Sequence, residues 1–351
     1  MLSLDGGGIR GLISARVLER LERLVSEEAG QERRIADCFH LLSGTSTGGL
    51  LALALSLADP GRAERPRWSA AELAELYLID GPRIFGDRLH QLLSLGGWIR
   101  PKHSPGGLES ALEKRLGEAR LRDALRELLI SSYDMREPGP HFFKRWRARE
   151  DPSRDAAMVE VGLATSAAPT YFPSYGLAER ALVDGGVFVA NPTVAAVVEA
   201  LKRRDEEPHS LATEELLVVS VGTGAHELAQ PQRKVRRWGR LGWVWPREGN
   251  AALVSTFLDG QSDAAHHWAE ILLNHEPGRA VADRHKMGRG PRYWRFQVPL
   301  ERSRGLDDAS APSLAELEQA AGRLLAERES DLRRLARRLA RFDALPAEPA
   351  L

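Results

Sequence analysis

The chain has 351 residues, enough for one large α/β domain or two small ones. Its 49 basic residues balance its 49 acidic residues, so no overall field directs it to a nucleic acid polymer. The single cysteine, Cys38, excludes an internal disulfide framework, and no apolar run is long enough to span a membrane. Since Met1 leads straight into a predicted strand without a signal peptide, we expect a cytoplasmic enzyme or binding protein.

A glycine-rich turn follows the first predicted strand, residues 2–4. Gly6, Gly7 and Gly8 stand between that strand and a predicted helix with apolar residues at helical spacing. Glycines have no Cβ, so several backbone N–H groups can converge on one point and form an anion nest at the helix start. The turn lacks the Gly-Lys-Ser/Thr of a phosphate-binding P-loop. Beside a nucleophilic serine, its better use is an oxyanion hole.

The segment from residue 39 to residue 57 is the centre of the sequence. A short apolar strand leads into the Gly-x-Ser-x-Gly pattern of Gly44, Ser46 and Gly48, and an apolar and therefore buried helix follows. This pattern is typical of a nucleophile elbow, in which small neighbours let the chain turn sharply and expose the serine hydroxyl. The dipole of the helix favours negative charge near Ser46. The alternative is a glycine-rich turn whose serine only caps the helix.

The next segments supply scaffold. Ser69 and Glu72 form a capping box that predicts a helix to about Ile79, ended by Gly81 and Pro82. Residues 84–107 fit either a lid or, as we favour, an ordinary connection packed on the core. Further patterns predict a helix at residues 108–116, paired strands at 128–133 and 142–146, and a helix at 155–166.

A third candidate element places Asp184 at the end of a strand over residues 181–184, with Gly185 and Gly186 making the following turn. An aspartate before two glycines is often only a turn former. Asn191, with Pro192 behind it, predicts the start of the next helix. Residues 215–221 form the clearest buried strand.

The last third predicts a helix over residues 250–274, a strand at 293–300 and a long helix from a Ser313–Glu316 capping box to about Phe342. Residues 233–247 mix six basic residues with three tryptophans. That mixture suits a membrane headgroup zone or a surface corner packed by arginine stems, and we favour the corner. For the long helix we favour packing on the body over a basic membrane-surface role.

These pieces indicate acyl transfer by a serine. A conventional α/β-hydrolase needs a histidine after the aspartate, and none of the later histidines lies in a turn after a strong strand. Those histidines are His209, His266, His267, His275 and His285. Without one, Asp184 itself must accept the proton of Ser46, which gives a Ser-Asp dyad acting through an acyl-enzyme. The adjacent His266 and His267 point about 100° apart on a helix, so they make a poor metal pair.

The three motifs, in this order, resemble the patatin-like phospholipase family. They are residues 5–11 (DGGGIRG), residues 44–48 (GTSTG) and residues 184–186 (DGG), and residues 167–173, 220–224 and 260–263 are similar to patatin-type sequences as well. The resemblance implies a three-layer α/β/α fold with a mostly parallel central sheet, in a single domain over residues 1–351. Its catalytic core would cover about 1–225, with a C-terminal strand and helices at about 250–342 packed on it.

The resemblance also implies a lipid acyl hydrolase that acts on membrane phospholipids without metal or cofactor. It carries the nucleophile onto Ser46, the base onto Asp184 and the oxyanion hole onto Gly6, Gly7 and Gly8. Arg10 matches the family's arginine after the glycines, where it would steady the nest or meet a lipid phosphate.

The compact layout resembles bacterial phospholipase effectors of cyclic-nucleotide anti-phage systems. That resemblance implies a cyclic nucleotide activator and action at the inner membrane surface, and it leaves a homo-oligomer open. Two alternatives to the dyad hydrolase remain at this point: a non-catalytic lipid- or nucleotide-binding module, and a histidine-dependent serine esterase.

Overall fold

The computed structural model describes residues 1–86, 94, 97, 99–206, 216–226, 230–244, 246–247, 250–275, 291–302 and 304–341. A mixed sheet lies at the centre. Its strands are β1 (Leu2–Leu4), β2 (Leu41–Thr45), β5 (Glu127–Asp134), β6 (Gly139–Lys144), β7 (Tyr175–Leu177), β8 (Arg180–Asp184), β9 (Val218–Val221) and β13 (Tyr293–Phe296). Short two-stranded pairs join β3 (Ala58–Asp59) to β4 (Arg62–Pro66), β10 (Ala225–His226) to β14 (Pro299–Leu300), and β11 (Pro246–Arg247) to β12 (Asn250–Ala251).

The helices of the described chain cover both faces of this sheet. They are α1 (Gly11–Ala29), α2 (Thr47–Leu55), α3 (Ala70–Ile79), α4 (Gly81–Ile84), α5 (Gly106–Leu116), α6 (Arg145–Glu150), α7 (Met158–Thr165), α8 (Thr193–Glu206), α9 (Gln232–Val235), α10 (Arg240–Val244), α11 (Ala252–Asn274) and α12 (Ala311–Leu339). None of them combines the length and apolar character that a bilayer span requires.

Side chains alternate across the strands and so build a core on each face. Leu42 and Val219 belong to the large core under α1, α2, α3 and α12. Their neighbours Leu41 and Val218 point the other way, into smaller cores that include residues of α8 and α11. The predicted three-layer α/β/α fold is confirmed.

The strand order is β13-β9-β1-β2-β5-β8-β7, with β6 also paired to β5. The neighbouring strands from β13 to β5 pair in parallel. Strands β6 and β8 pair antiparallel with β5, and β7 pairs antiparallel with β8. The sheet is therefore parallel where β1 and β2 lead into their helices. The carboxyl ends of β1 and β2, which carry the glycine turn and the elbow, lie side by side.

One edge of β5 is shared by two strands. Ser131 pairs with Thr45 of β2 and Ser132 pairs with Asp184 of β8, while both serines pair with β6 as well. Because β6 occupies the other edge, β2 and β8 must lie on the same edge. They run in opposite directions and meet end to end at Ser131 and Ser132, which brings the end of β8 to the elbow.

The last helix is part of the same body. Buried leucines of α12 belong to the large core, and α12 packs along α1. Ion pairs along the seam join Arg16 to Glu318 at 2.6 Å and Arg20 to Glu329. The structure thus shows α12 packed on the body, the arrangement that we favoured.

Three local predictions need correction. The long helix begins at Ala311 and not at Ser313, because Ser310 has the extended backbone of a start position and Glu316 pairs with Arg304 at 2.6 Å. Gly81 and Pro82 open the short helix α4 directly after α3, since a proline fits the first turn of a helix. The second strand of the predicted hairpin ends at Lys144, and the chain continues as α6.

The predicted connection over residues 84–107 is described only in part. His103 is buried between the rings of Phe85 and Phe172, and its Nε2 is hydrogen-bonded to Asp307 Oδ2 at 2.6 Å. This part of the connection therefore packs on the core. Most of its predicted apolar residues lie outside the described residues, namely Leu89, Leu92, Leu93, Leu95 and Trp98, and so do His209 and His285.

Candidate active site

The predicted elbow forms the turn between β2 and α2. Ser46 has φ 53° and ψ −125°, a backbone conformation that residues other than glycine rarely adopt and that costs about 1–3 kcal/mol. A Cβ on Gly44 would lie 2.3 Å from the Gly48 carbonyl oxygen, and one on Gly48 would lie 2.2 Å from that of Leu4. The two flanking glycines are therefore required by close backbone approach on both sides of the serine.

A threonine that the sequence analysis did not single out holds the elbow in place. The Ser46 backbone N–H donates to Thr165 Oγ1 at 2.9 Å, and that hydroxyl donates to the Ser131 carbonyl at 2.6 Å. Thr165 ends α7, and it is fully buried. The strained turn is thus tied to β5, the strand that also pairs with Asp184.

Asp184 lies beside Ser46, as the shared edge of β5 requires. The Ser46 hydroxyl and the Asp184 carboxylate line the same cavity and interact there, and the Gly186 N–H donates to Asp184 Oδ1 at 2.7 Å. A Cβ on Gly185 would lie 2.2 Å from Ser131 Oγ, so the first glycine of the turn is required by packing. Asp184 is 5% exposed.

Burial raises the pKa of Asp184 to about 6, while Ser46 and the Gly186 N–H pull the pKa down. The ordinary pKa of an aspartate is 3.8, so the raised pKa makes this carboxylate a stronger base. It also means that ionising Asp184 in the folded chain costs on the order of 3 kcal/mol. The folded state holds its proton to higher pH than the unfolded chain. Asp184 therefore lowers stability as pH rises from about 4 to about 6, and no further above that.

The glycine turn borders Ser46 directly, because a Cβ on Gly6 would lie 3.5 Å from that of Ser46. The Gly6 N–H, however, donates to the Ala190 carbonyl at 2.9 Å. That amide is therefore occupied, and we restrict the predicted oxyanion hole to Gly7 and Gly8. Within the described chain, neither of their N–H groups has a hydrogen-bond acceptor.

Close contacts explain why the other two positions are glycine. Gly8 has φ +58°, and a Cβ there would lie 2.2 Å from the Leu306 carbonyl oxygen. A Cβ on Gly7 would lie 2.2 Å from Thr223 Oγ1, which itself donates to the Gly6 carbonyl at 2.9 Å. The turn is thus enclosed on both sides.

A buried ion pair anchors the start of this turn. Arg295 of β13 donates to both carboxylate oxygens of Asp5, at 2.9 and 2.6 Å, and Ser262 of α11 donates to Asp5 Oδ2 at 2.9 Å. Both charged side chains are less than a tenth exposed. Sequence reasoning missed Arg295 because no local pattern marks it.

Arg10 follows the glycine turn and is buried. Its Nε and Nη1 have no hydrogen-bond partner within the part of the chain that the structure describes, and it lines a separate cavity of about 170 Å³ with Arg302 and Arg304. Burial lowers its pKa, against the opposing charge of Asp259. Arg10 is not among the described residues that line the cavity at Ser46. The predicted contact with a lipid phosphate therefore gains no support from this geometry.

The cavity at Ser46 has a volume of about 360 Å³, in the range of small-molecule sites. Ser46, Asp184 and the glycine turn form its polar end. Its remaining walls are mostly apolar and come from α2, α3, α5, the loop after α7, and α11, through residues such as Leu51, Leu73, Leu112, Phe172 and Leu258. Such a cavity suits a hydrocarbon chain with one reactive polar group at its end.

No histidine occurs among the described residues that line this cavity. His266 instead lies within 3.1 Å of the Tyr293 hydroxyl, and His267 and His275 are exposed. The described residues also contain no group of three or more His, Cys, Asp or Glu placed to hold a metal ion.

Comparison with known proteins identifies the class. A family model described as patatin-like phospholipase matches residues 2–197. Patatin-like protein 1 of Oryza sativa subsp. indica is 34% identical over 293 residues, covering 78% of this chain and 70% of that protein. Patatin-05 of Solanum tuberosum is 35% identical over 277 residues, covering 74% and 70%. Among solved structures, VipD from Legionella pneumophila matches with a TM-score of 0.38 at 12% identity, over 93% of this chain and 66% of that one.

The chain belongs to the patatin-like phospholipase family, as the three motifs predicted. Membership of this family supports lipid acyl hydrolysis as the general activity.

The ion pair beneath the glycine turn generates a stability prediction. In Arg295→Met, the Asp5 carboxylate stays buried without its cation, so we expect the free energy of unfolding to fall by about 3–5 kcal/mol. The measurement is denaturant unfolding followed by circular dichroism. Arg323→Met is the matched control, because Arg323 is a third exposed and pairs with the exposed Glu301, and we expect a loss below about 1 kcal/mol. Equal losses in the two variants would contradict the anchoring role.

Proposed function

We propose that this protein hydrolyses acyl esters of membrane glycerophospholipids, with Ser46 as nucleophile and Asp184 as general base. One observation carries the proposal: Ser46 and the buried Asp184 carboxylate lie together at the polar end of a mostly apolar cavity. A nucleophile needs a base close by, and Asp184 is the carboxylate beside Ser46.

The residues support a two-step reaction. Ser46 Oγ attacks the ester carbonyl carbon while Asp184 takes its proton, and the tetrahedral oxyanion is held by the Gly7 and Gly8 N–H groups and by the positive end of α2. The intermediate collapses to the acyl-enzyme, and the departing lysolipid oxygen receives the proton from Asp184. Water then attacks the acyl-enzyme with Asp184 again as base, which releases a fatty acid and restores Ser46.

The cavity favours an acyl chain as the group bound next to Ser46. Its walls are apolar, so burying a hydrocarbon chain there is favourable at about 25 cal/mol per Å². The other charged lining residues, Asp80, Arg115 and Asp307, all take part in ion pairs. A non-catalytic binding module would not require a strained serine beside a buried carboxylate, so the same site favours the hydrolase over that alternative.

The dyad is tested by two near-isosteric changes. Ser46→Ala and Asp184→Asn should each lower kcat for fatty-acid release by about 1,000-fold or more, because each removes a group that acts in the reaction. Fatty-acid release from phospholipid vesicles is the measurement, together with labelling of Ser46 by a fluorophosphonate probe. Ser56→Ala, at the end of α2, is the control and should retain both activity and label. Near-normal fatty-acid release from Asp184→Asn would favour the histidine-dependent esterase, and so would loss of release when His266 is replaced. Absence of label in the parent protein would favour the binding module.

The raised pKa of Asp184 generates a pH prediction. A general base must be deprotonated, so kcat/KM on a short-chain water-soluble ester should rise with pH through an apparent pKa of about 6 and then level off. A histidine base would titrate in a similar range. Repeating the profile at two temperatures separates them, because ionisation of a carboxyl group responds little to temperature and that of an imidazole responds strongly. If kcat/KM instead rises with an apparent pKa near the ordinary value of 3.8, or if the apparent pKa shifts strongly on warming, Asp184 is not the base.

Activation by a cyclic nucleotide stays a prediction of the sequence resemblance, and so do an anti-phage role, action at the inner membrane surface and homo-oligomer formation. Lipid turnover measured with and without a panel of cyclic nucleotides tests the first of these. We expect one member of the panel to raise turnover, since the resemblance is to effectors that stay inactive until signalled. Constitutive turnover that none of them changes would count against it.

A further inference from the structure

Helix α11 exposes a stripe of large apolar residues along one side, in two groups separated by Gly260, Gln261 and Ala264. The stripe consists of Leu253, Val254, Phe257, Trp268, Ile271 and Leu272, which recur at helical spacing. Phe257 and Trp268 are 61% and 59% exposed. Exposed apolar residues scattered singly need no explanation, but a row of six large ones on one helix marks an interaction surface.

The stripe starts at the mouth of the catalytic cavity. Val254 and Phe257 line that cavity and are exposed at the same time, and so is Val187, which follows the Asp184 turn. The rim of the mouth is therefore apolar and continuous with the stripe. A surface that covered the stripe would also cover the entrance to Ser46.

A basic segment flanks the stripe. Residues 233–240 carry five exposed cations, namely Arg233, Lys234, Arg236, Arg237 and Arg240. Within the described chain none of the five has an ion-pair partner, and residues 230–244 contain no acidic residue. Helix α10 packs against α11 and adds the exposed Leu241 and Val244 to the apolar surface.

Two half-buried tryptophans lie within this surface. Trp238 and Trp243 pack edge to face at 5.1 Å between ring centres. The two rings thus pack against each other while the five cations are exposed, and the corner packed by arginine stems that we favoured from the sequence stays a prediction. The acidic residues of α11, Asp259, Asp263 and Glu270, lie on the side of the helix away from the stripe.

We infer that the α11 stripe and the basic segment dock this protein on an anionic phospholipid bilayer. Apolar and tryptophan side chains would enter the interfacial zone while the cations meet lipid phosphates, as in amphipathic membrane-surface helices. This inference rests on the proposed function for its purpose, since docking sets the cavity mouth against the bilayer. A symmetric pair of copies joined through the stripe would bring two unneutralised basic segments to one interface, which disfavours that occupant.

Vesicle binding by the full chain tests the inference without catalysis. The Ser46→Ala protein should co-sediment with vesicles of equimolar phosphatidylglycerol and phosphatidylcholine, and far less with phosphatidylcholine alone. Each cation near an anionic surface contributes about a fivefold factor, so Arg233→Glu/Arg236→Glu/Arg237→Glu should weaken binding at least tenfold. The control is Arg23→Glu/Arg337→Glu/Arg341→Glu, which makes the same charge change from exposed positions at the far ends of α1 and α12. Equal loss in both triple variants, or loss in neither, overturns the inference.

The apolar part is tested separately. Trp268→Ser/Ile271→Ser should weaken vesicle binding several-fold and leave the molecular mass in solution, measured by light scattering, unchanged. If the change instead converts a dimer to a monomer, the stripe binds a second copy and the inference is wrong. With Ser46 present, these variants should hydrolyse a water-soluble short-chain ester at the parent rate. A parent that hydrolyses no ester refutes the proposed function and leaves the vesicle result to stand by itself.

Discussion

The active-site geometry depends on two strands sharing one edge of β5. Strand β2 runs up to Ser131 and β8 runs in the opposite direction down to Ser132, so the two strand ends face each other. The residue after β2 is Ser46, and the last residue of β8 is Asp184. Hydrogen bonding in the sheet therefore brings together two side chains that are far apart along the chain. No mobile loop is needed to deliver the carboxylate, because the sheet itself brings together the two residues that we propose as nucleophile and base.

This arrangement keeps several unfavourable features within one small region. Ser46 adopts a strained backbone, and Asp184 is buried where its charged form is disfavoured. The surrounding structure stabilises both: α2 is buried almost throughout its length, and Thr165 holds the Ser46 amide against β5. Burial makes Asp184 a better proton acceptor, while Ser46 and the Gly186 N–H favour its ionised form. The same balance that lowers stability as pH rises from about 4 to about 6 gives Asp184 a pKa suited to the base that we propose.

The features that the sequence predicted are those encoded within a few residues. The elbow at Ser46 and the glycine turn follow from steric requirements of adjacent residues, and Asp184 follows from its place at a strand end and from the lack of a suitably placed histidine. Other features depend on contacts between distant segments, which periodicity and spacing do not reveal. The Gly6 N–H donates a hydrogen bond to the Ala190 carbonyl, and Arg295 pairs with Asp5, which lies 290 residues earlier in the chain. The Ser313 capping box was wrong because its Glu316 serves an ion pair with Arg304.

The glycine turn and helix α11 share one set of buried contacts. Ser262 lies on α11, between the two halves of the apolar stripe, and it donates to Asp5 directly before the glycines. Arg295 holds both Asp5 and Ser262, with its nitrogens 2.6 and 3.0 Å from their oxygens. Gln261, the neighbour of Ser262, accepts the Ala190 N–H, and the Ala190 carbonyl in turn accepts the Gly6 N–H. Helix α11, which we infer to meet the bilayer, therefore also helps to hold the glycine turn, so the proposed substrate entry and the proposed oxyanion hole depend on the same element.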